Sequence, residues 1–371
     1  MAKFTQYTNT ESPRVIRTKG VEAPAAPVKP KKRKLGALKA VIAILLVLIV
    51  GVVGVGGYLI WDIGTVLGNN SLNANEEQLG INTQDTLFTE GEHGNIVNIA
   101  LFGVDQRGDE ACRSDAIMIL SVDKKHGKIK VASLLRDSLI TIDGRGQDKL
   151  GHAYFYGGPE LAIKTINQNF GLNIKEYDTV NFNELAQIVD AVGGVNINVK
   201  EKECYYLNKN LREQAKYDDF TAKDYYIQTP GKYHLNGQQA LAYARIRKSD
   251  SDFVRSDRQR TVLRQLFNEA LSMSPLKYPD FAKEFLTICD TSLDMNDCLA
   301  LVGVMTMDPG FVDVRLPLEE DLISGNYYVG KISYVYYDVE STAQKLREFI
   351  YNDVIPSEAD TGEETSSEAA E

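Results

Sequence analysis

Cysteine is scarce in this chain, with four residues (Cys112, Cys204, Cys289 and Cys298) among 371. So few in so long a chain exclude a disulfide scaffold, and a hydrophobic core must supply most of the stability. An even count still permits disulfides in an oxidising compartment, and Cys289 and Cys298 are close enough in sequence to pair. No internal repeat is present, which excludes a repeat architecture. Positive charge is in deficit, with 41 Lys and Arg against 51 Asp and Glu and a net charge of −10. Against that background, any local concentration of arginine needs a reason. Long apolar runs are absent apart from one.

That run, VIAILLVLIVGVVGVGGYLIW at 41–61, carries no polar face and is long enough to cross a bilayer core. It ends in Tyr58 and Trp61, residues suited to the membrane–water interface. A cleaved signal peptide is the rival reading. The run exceeds a usual signal core, a long hydrophilic segment precedes it, and no clear A-x-A site follows. Residues 1–40 hold ten basic and two acidic groups, a local charge of +8 that leaves −18 for the rest of the chain. Positive flanks stay in the cytoplasm, so everything beyond Trp61 is expected outside the cell. The KPKKRK stretch within that flank could serve nucleic acid, but beside a membrane span a topogenic role fits better, and no nucleic-acid partner is expected.

The organisation that follows is a basic, disordered cytoplasmic tail (1–40), a transmembrane helix (41–61) and a polar spacer (62–94). A single extracytoplasmic domain (95–355) and an acidic, solvated tail (356–371) complete it. Within the domain, strand-like and helix-like runs alternate. The runs at 96–104, 116–122 and 128–134 have the Val/Ile/Leu content of strands buried on both faces. Pro159 opens a helix that Gly171 stops. A strand at 179–182 leads into a helix at 184–192, ended by Gly193-Gly194, and 195–199 is a further strand. Helices at 258–271, 279–286 and 297–307 and a strand at 311–316 complete an α/β fold in which helices flank a mixed central sheet.

The chemistry concentrates at the ends of these elements. Asp105 closes the first strand, and Arg113 and Asp115 open the second across a short loop containing Cys112. Two carboxylates so placed suit Mg²⁺, which favours one or two carboxylates plus water and substrate phosphate. Taken singly, each Asp reads as a turn cap. The strand 128–134 terminates in Arg136-Asp137, an ion pair in its blandest reading, and Lys149 stands beside a further turn. Between Gln238 and Gln265 lie Arg245, Arg247, Arg255, Arg258, Arg260 and Arg264. Guanidinium forks fit phosphate oxygens two at a time. Arg245-x-Arg247 alternates as on a strand, and Arg255 and Gln259, four apart, share a helix face near its start.

The ordered segments FGVDQRG, RSDAIMIL, SLLRDS, DKLGHAYFYGGPELA, DTVNFNELAQIVDAVGGV and LNGQQALAYARIRKSDSDFVRSDRQ resemble the LytR–CpsA–Psr family over nearly the whole extracytoplasmic part. Leu135 departs from it, standing where many members have Pro. The resemblance implies a membrane-anchored enzyme of the Gram-positive cell surface. Its activity would be transfer of a glycopolymer (teichoic acid, capsule or a related polysaccharide) from a polyprenyl-pyrophosphate lipid to a peptidoglycan acceptor. It further implies that Asp105 and Asp115 bind Mg²⁺ and that Arg113, Arg136, Arg245, Arg247, Arg255, Gln259 and Lys149 contact the pyrophosphate. A hydrolase of the same lipid, with water as acceptor, would share these residues, and product analysis separates the two. A membrane-bound transcriptional regulator would need a cytoplasmic DNA-binding module, for which residues 1–40 are too short and too Pro-rich. A non-catalytic lipid carrier would not need paired Asp and the arginine set.

Overall fold

The computed structural model describes residues 72, 74–83, 93–105, 112–246, 252–274, 277–305, 307, 309–323 and 327–356. The expected membrane span, both tails and Arg247 lie outside the described residues. No described helix is long and apolar enough to cross a membrane.

The chain runs through β1 (Ile96–Val104), β2 (Ser114–Asp123), β3 (Lys128–Leu134), a hairpin of β4 (Leu139–Ile142) and β5 (Gly146–Lys149), α1 (Leu150–Phe170) and β6 (Glu176–Asn181). Next come α2 (Phe182–Ala191), β7 (Val195–Val199), α3 (Glu201–Gln214), β8 (Gly231–Leu235), α4 (Gly237–Ala244) and α5 (Asp252–Ser272). The last elements are α6 (Tyr278–Ile288), β9 (Asp290–Thr291), α7 (Met295–Met305), β10 (Gly310–Leu316), the hairpin β11 (Tyr327–Val329) and β12 (Ile332–Tyr334), and α8 (Val339–Asn352).

The six-stranded sheet has the order β10-β3-β2-β1-β6-β9. Its centre, β1–β2–β3, is antiparallel, while β6 joins β1 and β10 joins β3 in parallel, so the sheet is mixed as expected. Alternation along the strands assigns its two faces. Ala100, Phe102, Ile117 and Ile119 point to one side and pack with Ile163, Ile166 and Phe170 of α1 and Leu346, Phe349 and Ile350 of α8. Leu79 and Ile81, within the stretch expected to be a spacer, are buried in this same core. Leu101, Gly103, Ala116 and Met118 share the opposite face, since Leu101 faces Met118 and Gly103 faces Ala116 in register.

Two local readings change. The strand at Val195–Val199 exists but pairs with β8 in a separate two-stranded sheet. Its Asn196 and Asn198 are exposed between buried valines and Ile197, so only one of its faces is apolar and the central sheet has no place for it. The helix expected from Pro159 is the second half of α1. The chain is already helical from Leu150, breaks at Gly157 and Gly158, the latter at φ 64°, and resumes at Pro159. Gly171, at φ 62°, ends it as read from the sequence. The cysteines are all free thiols, so the pairing of Cys289 with Cys298 does not form.

Candidate functional site

The site lies on the Leu101/Gly103 face of the sheet. Asp105 follows β1 and Asp115 is the second residue of β2. The capping box of Asn181 and Glu184 turns β6 directly into α2 and sets Phe182 at the helix start. A second capping box, Asn236 with Gln239, starts α4, whose alanine-rich turns keep it helical up to Arg245. Arg245 is therefore a helix C-cap residue (φ −87°, ψ 1°) and not the strand position that the R-x-R spacing suggested. Its guanidinium stacks on the Phe182 ring, 4.4 Å from the centroid. Arg255 and Gln259 occupy the first two turns of α5, where backbone N–H groups and the helix dipole favour an anion.

Asp115, Arg245, Arg255 and Gln259 all line one cleft of about 1080 Å³, its open mouth included. Apart from Asp178 and Asn181, the rest of its wall is apolar, with Leu101 and Met118 from the sheet, Leu185 and Ile188 from α2, Leu266 from α5 and Phe285 from α6. Gly103 keeps the floor low, since a Cβ there would come within 3.0 Å of the Ala116 methyl. A smaller adjoining hollow adds Arg136 and Asp137 to Asp115, Arg255 and Gln259, and a third joins Asp105 to Arg245. Arg136 Nη1 is paired with Asp115, and its Nε lies 3.5 Å from Asp137. Lys149 Nζ reaches the other Asp137 oxygen at 2.7 Å. Arg113 is apart from these hollows, exposed and lying over Phe155 at 6.0 Å.

The arginines that follow in α5 have another purpose. Arg258, 4% exposed, pairs through Nε with the equally buried Glu203 of α3 at 2.8 Å. Arg260 bridges Asp257 and Asp313, both at 2.6 Å, and Arg264 also pairs with Asp313. These three bind helix to sheet and helix to helix, so only part of the basic run faces the cleft. Removing one partner of a buried pair strands the other charge. Arg258→Ala is expected to cost about 3–5 kcal/mol in denaturant unfolding, and an unchanged midpoint would refute the structural role.

The donor set bears on metal. Asp105 is exposed and Asp115 is 11% exposed at the side chain, and both raise the pKa of the Cys112 thiol, which burial raises first. Sulfur is a soft donor and suits Zn²⁺ or iron better than a hard cation, which leaves the two carboxylates for Mg²⁺. Among the described residues no cluster of three or more His, Cys, Asp or Glu could cage a cation. Asp115 lines the cleft and Asp105 the hollow beside Arg245, and two carboxylates suit Mg²⁺, which keeps waters and takes substrate oxygens, better than Zn²⁺.

One cleft residue escaped sequence reasoning. Asp178 of β6 faces Leu101 in register, lines the apolar wall at 5% exposure, and its Oδ1 accepts no hydrogen bond. Burial, assisted by the charge of Asp290, pushes its carboxyl up to about 6. An acidic residue interrupting a strand buried on its neighbours' pattern was the available signal. The unfolded chain ionises near the ordinary carboxylate value and the folded chain only near 6. Ionisation therefore penalises the fold increasingly between about pH 4 and 6 and fully above. Asp178→Asn is expected to raise stability at pH 7.5 by up to about 3 kcal/mol, at ~1.4 kcal/mol per pKa unit. By pH 4.5 the gain should fade. Equal differences at both pH values in thermal unfolding would refute this.

The profile of the LytR_cpsA_psr family matches residues 64–345. A polyisoprenyl-teichoic acid–peptidoglycan teichoic acid transferase TagU of Oceanobacillus iheyensis is 37% identical over 218 residues, 56% of this chain and 62% of that relative's length. A TagU of Bacillus cereus is 31% identical over 253 residues, 67% of this chain and 76% of the relative. Among solved structures, the LytR-CPS2A-psr family protein YwtF (TagT) with bound octaprenyl pyrophosphate lipid superposes with a TM-score of 0.55 at 22% identity, covering 76% of this chain and 98% of that one.

Proposed function

Because this chain belongs to the LytR_cpsA_psr family, we propose that it is a membrane-anchored phosphotransferase. It moves a glycopolymer from a polyprenyl-pyrophosphate lipid to peptidoglycan outside the cell. The observation that carries this reading is the meeting of apolar side chains and cations in one cleft: Leu185, Ile188, Leu266 and Phe285 line it together with Arg245 and Arg255, and Arg136 lines the hollow adjoining it. An isoprenoid chain needs a dry wall, and the pyrophosphate attached to it needs guanidinium forks at the point where the chain emerges. The names of the relatives, teichoic acid transferases, and the octaprenyl pyrophosphate held by YwtF support the same pairing.

In this reading Arg136, Arg245, Arg255 and Gln259 orient the pyrophosphate, with Arg247 completing the set and Lys149 holding Asp137 in place. Arg113, exposed on the Phe155 ring and outside these hollows, would reach the pyrophosphate from the solvent side. Asp105 and Asp115 would hold Mg²⁺, which when bound supplies charge neutralisation at the pyrophosphate oxygens. An acceptor hydroxyl of peptidoglycan attacks the sugar-linked phosphorus. One P–O bond forms to the acceptor and the bridging P–O bond breaks, polyprenyl phosphate leaving with the electron pair and the hydroxyl proton being released. The chain's own contribution is positioning and a preorganised field where charge develops.

The test is incubation of the full chain with a polyprenyl-pyrophosphate glycan and peptidoglycan oligomers, with and without Mg²⁺. Glycan phosphate joined to peptidoglycan, with polyprenyl phosphate as co-product, is expected. Free glycan phosphate in the presence of acceptor would instead make the enzyme a hydrolase.

A further inference from the structure

We propose that the β11–β12 hairpin is a membrane-contact element that seats the mouth of the cleft on the bilayer carrying the chain's own anchor, an inference resting on the anchored, lipid-consuming reading above. Its tip is Tyr328-Val329-Gly330-Lys331-Ile332, with Tyr328, Val329 and Ile332 exposed by 58%, 52% and 49%. Val329 faces Ile332 across the pair and Tyr328 faces Ser333. Successive strand residues point to opposite sides, so at the tip neither face of the ribbon is covered. Ile323, just before it in sequence, is exposed as well. A soluble surface gains nothing from leaving this much apolar side chain in water on so slight an element.

The base of the hairpin, by contrast, is fixed to the site. Tyr327 packs on Tyr336 at 4.9 Å, and Tyr334 is buried, with its hydroxyl 3.5 Å from Asp148. Lys149 lies 5.6 Å from the Tyr334 ring, and the Val335 amide donates to the Asp137 carbonyl at 2.8 Å. Asp148 is also the link to the point where the chain arrives. Tyr156 donates to it at 2.7 Å, and beside Tyr156 the arriving residue Ala74 forms a hollow with Gly157, Glu160 and Leu161. The expected span ends at residue 61, and the residues between it and Leu72 reach at most about 35 Å when extended. The flank bearing the hairpin is thus tethered within reach of the bilayer.

The composition chooses the occupant. Tyr with aliphatic neighbours and a lysine at the tip suits the headgroup–acyl boundary, and exposed Arg145, stacked 4.6 Å from Tyr156, offers a second cation to anionic headgroups. A glycan platform would surround its aromatic ring with hydrogen-bonding side chains; Tyr328 has Ser333 opposite it, while the other face of the tip carries Val329 and Ile332.

The full chain in nanodiscs tests this. Trp61 is the one tryptophan, so Trp61→Phe clears the background. Tyr328→Trp then reports the tip, and Tyr205→Trp, exposed on α3, serves as control. Brominated phospholipid is expected to quench and blue-shift the tip reporter and to leave the control unchanged. The double change Val329→Asp/Ile332→Asp should abolish that quenching and slow transfer in nanodiscs while matching the parent in detergent. Absence of quenching at position 328 overturns the proposal, as does protection of that position by soluble peptidoglycan oligomers. If the parent transfers nothing even in detergent, the phosphotransferase reading fails while the quenching result stands by itself.

Discussion

Arg136→Lys is expected to lower transfer by ~10²–10³-fold, the scale on which one donor to developing charge counts, without loss of fold. The side chain is held from two sides: Nη1 on Asp115 and Nε 3.5 Å from Asp137, which Lys149 holds in turn. That arrangement fixes the plane of the guanidinium and aims it at the hollow shared with Arg255 and Gln259. Lysine keeps the charge but presents a single ammonium, so it cannot satisfy two carboxylates and a phosphate in one plane. The loss should appear chiefly in kcat, because a positioned fork counts most where the phosphoryl charge redistributes. Arg212→Lys, exposed on α3 and outside the motifs, is the control and should leave transfer unaltered. Steady-state transfer rates, with circular dichroism to confirm folding, decide it. If Arg136→Lys behaves like Arg212→Lys, the cations are a solvated surface and the pyrophosphate reading falls.

Asp115→Ala should be at least as damaging, with a loss of ~10²-fold or more, because two functions end together. It removes one of the two proposed Mg²⁺ carboxylates and the partner that orients Arg136. The two functions separate experimentally. Asp115→Asn retains a carbonyl oxygen, a weaker ligand for a hard cation, so raised Mg²⁺ should recover part of its activity. Arg136→Lys should show no such recovery. Chelator should reproduce the Asp115→Ala phenotype in the parent, and full transfer in chelator would remove the metal from the mechanism. A folded domain with wild-type transfer in Asp115→Ala would remove both functions.

Much of this arrangement was legible in the sequence where the signal is local. Continuous apolar runs marked β1, β2 and β3 because strands covered on both faces need no polar alternate. Gly171 marked the end of α1 because the left-handed turn costs glycine least. The positions of Asp105, Asp115, Arg136 and Arg255 at element ends followed from the same boundaries. Where a second segment decides the outcome, sequence reasoning had less purchase. Asn236 and Gln239 capped a helix that overrode the strand-like spacing around Arg245. Asn196 and Asn198 sent β7 to a sheet of its own.

The sequence by itself determined the class of fold, the concentration of phosphate-binding side chains and the apolar run suited to a membrane, since composition and periodicity act over neighbouring residues. Only the tertiary structure decided which arginines face the cleft. Arg258, Arg260 and Arg264 meet Glu203 and Asp313, residues about 50 or more positions away, whereas Arg245 and Arg255 meet the cleft. The placement of Asp178 against an apolar wall was decided in the same way. A charge acquires its role from the partner that packing brings to it, and that partner is set by chain crossings no local pattern encodes.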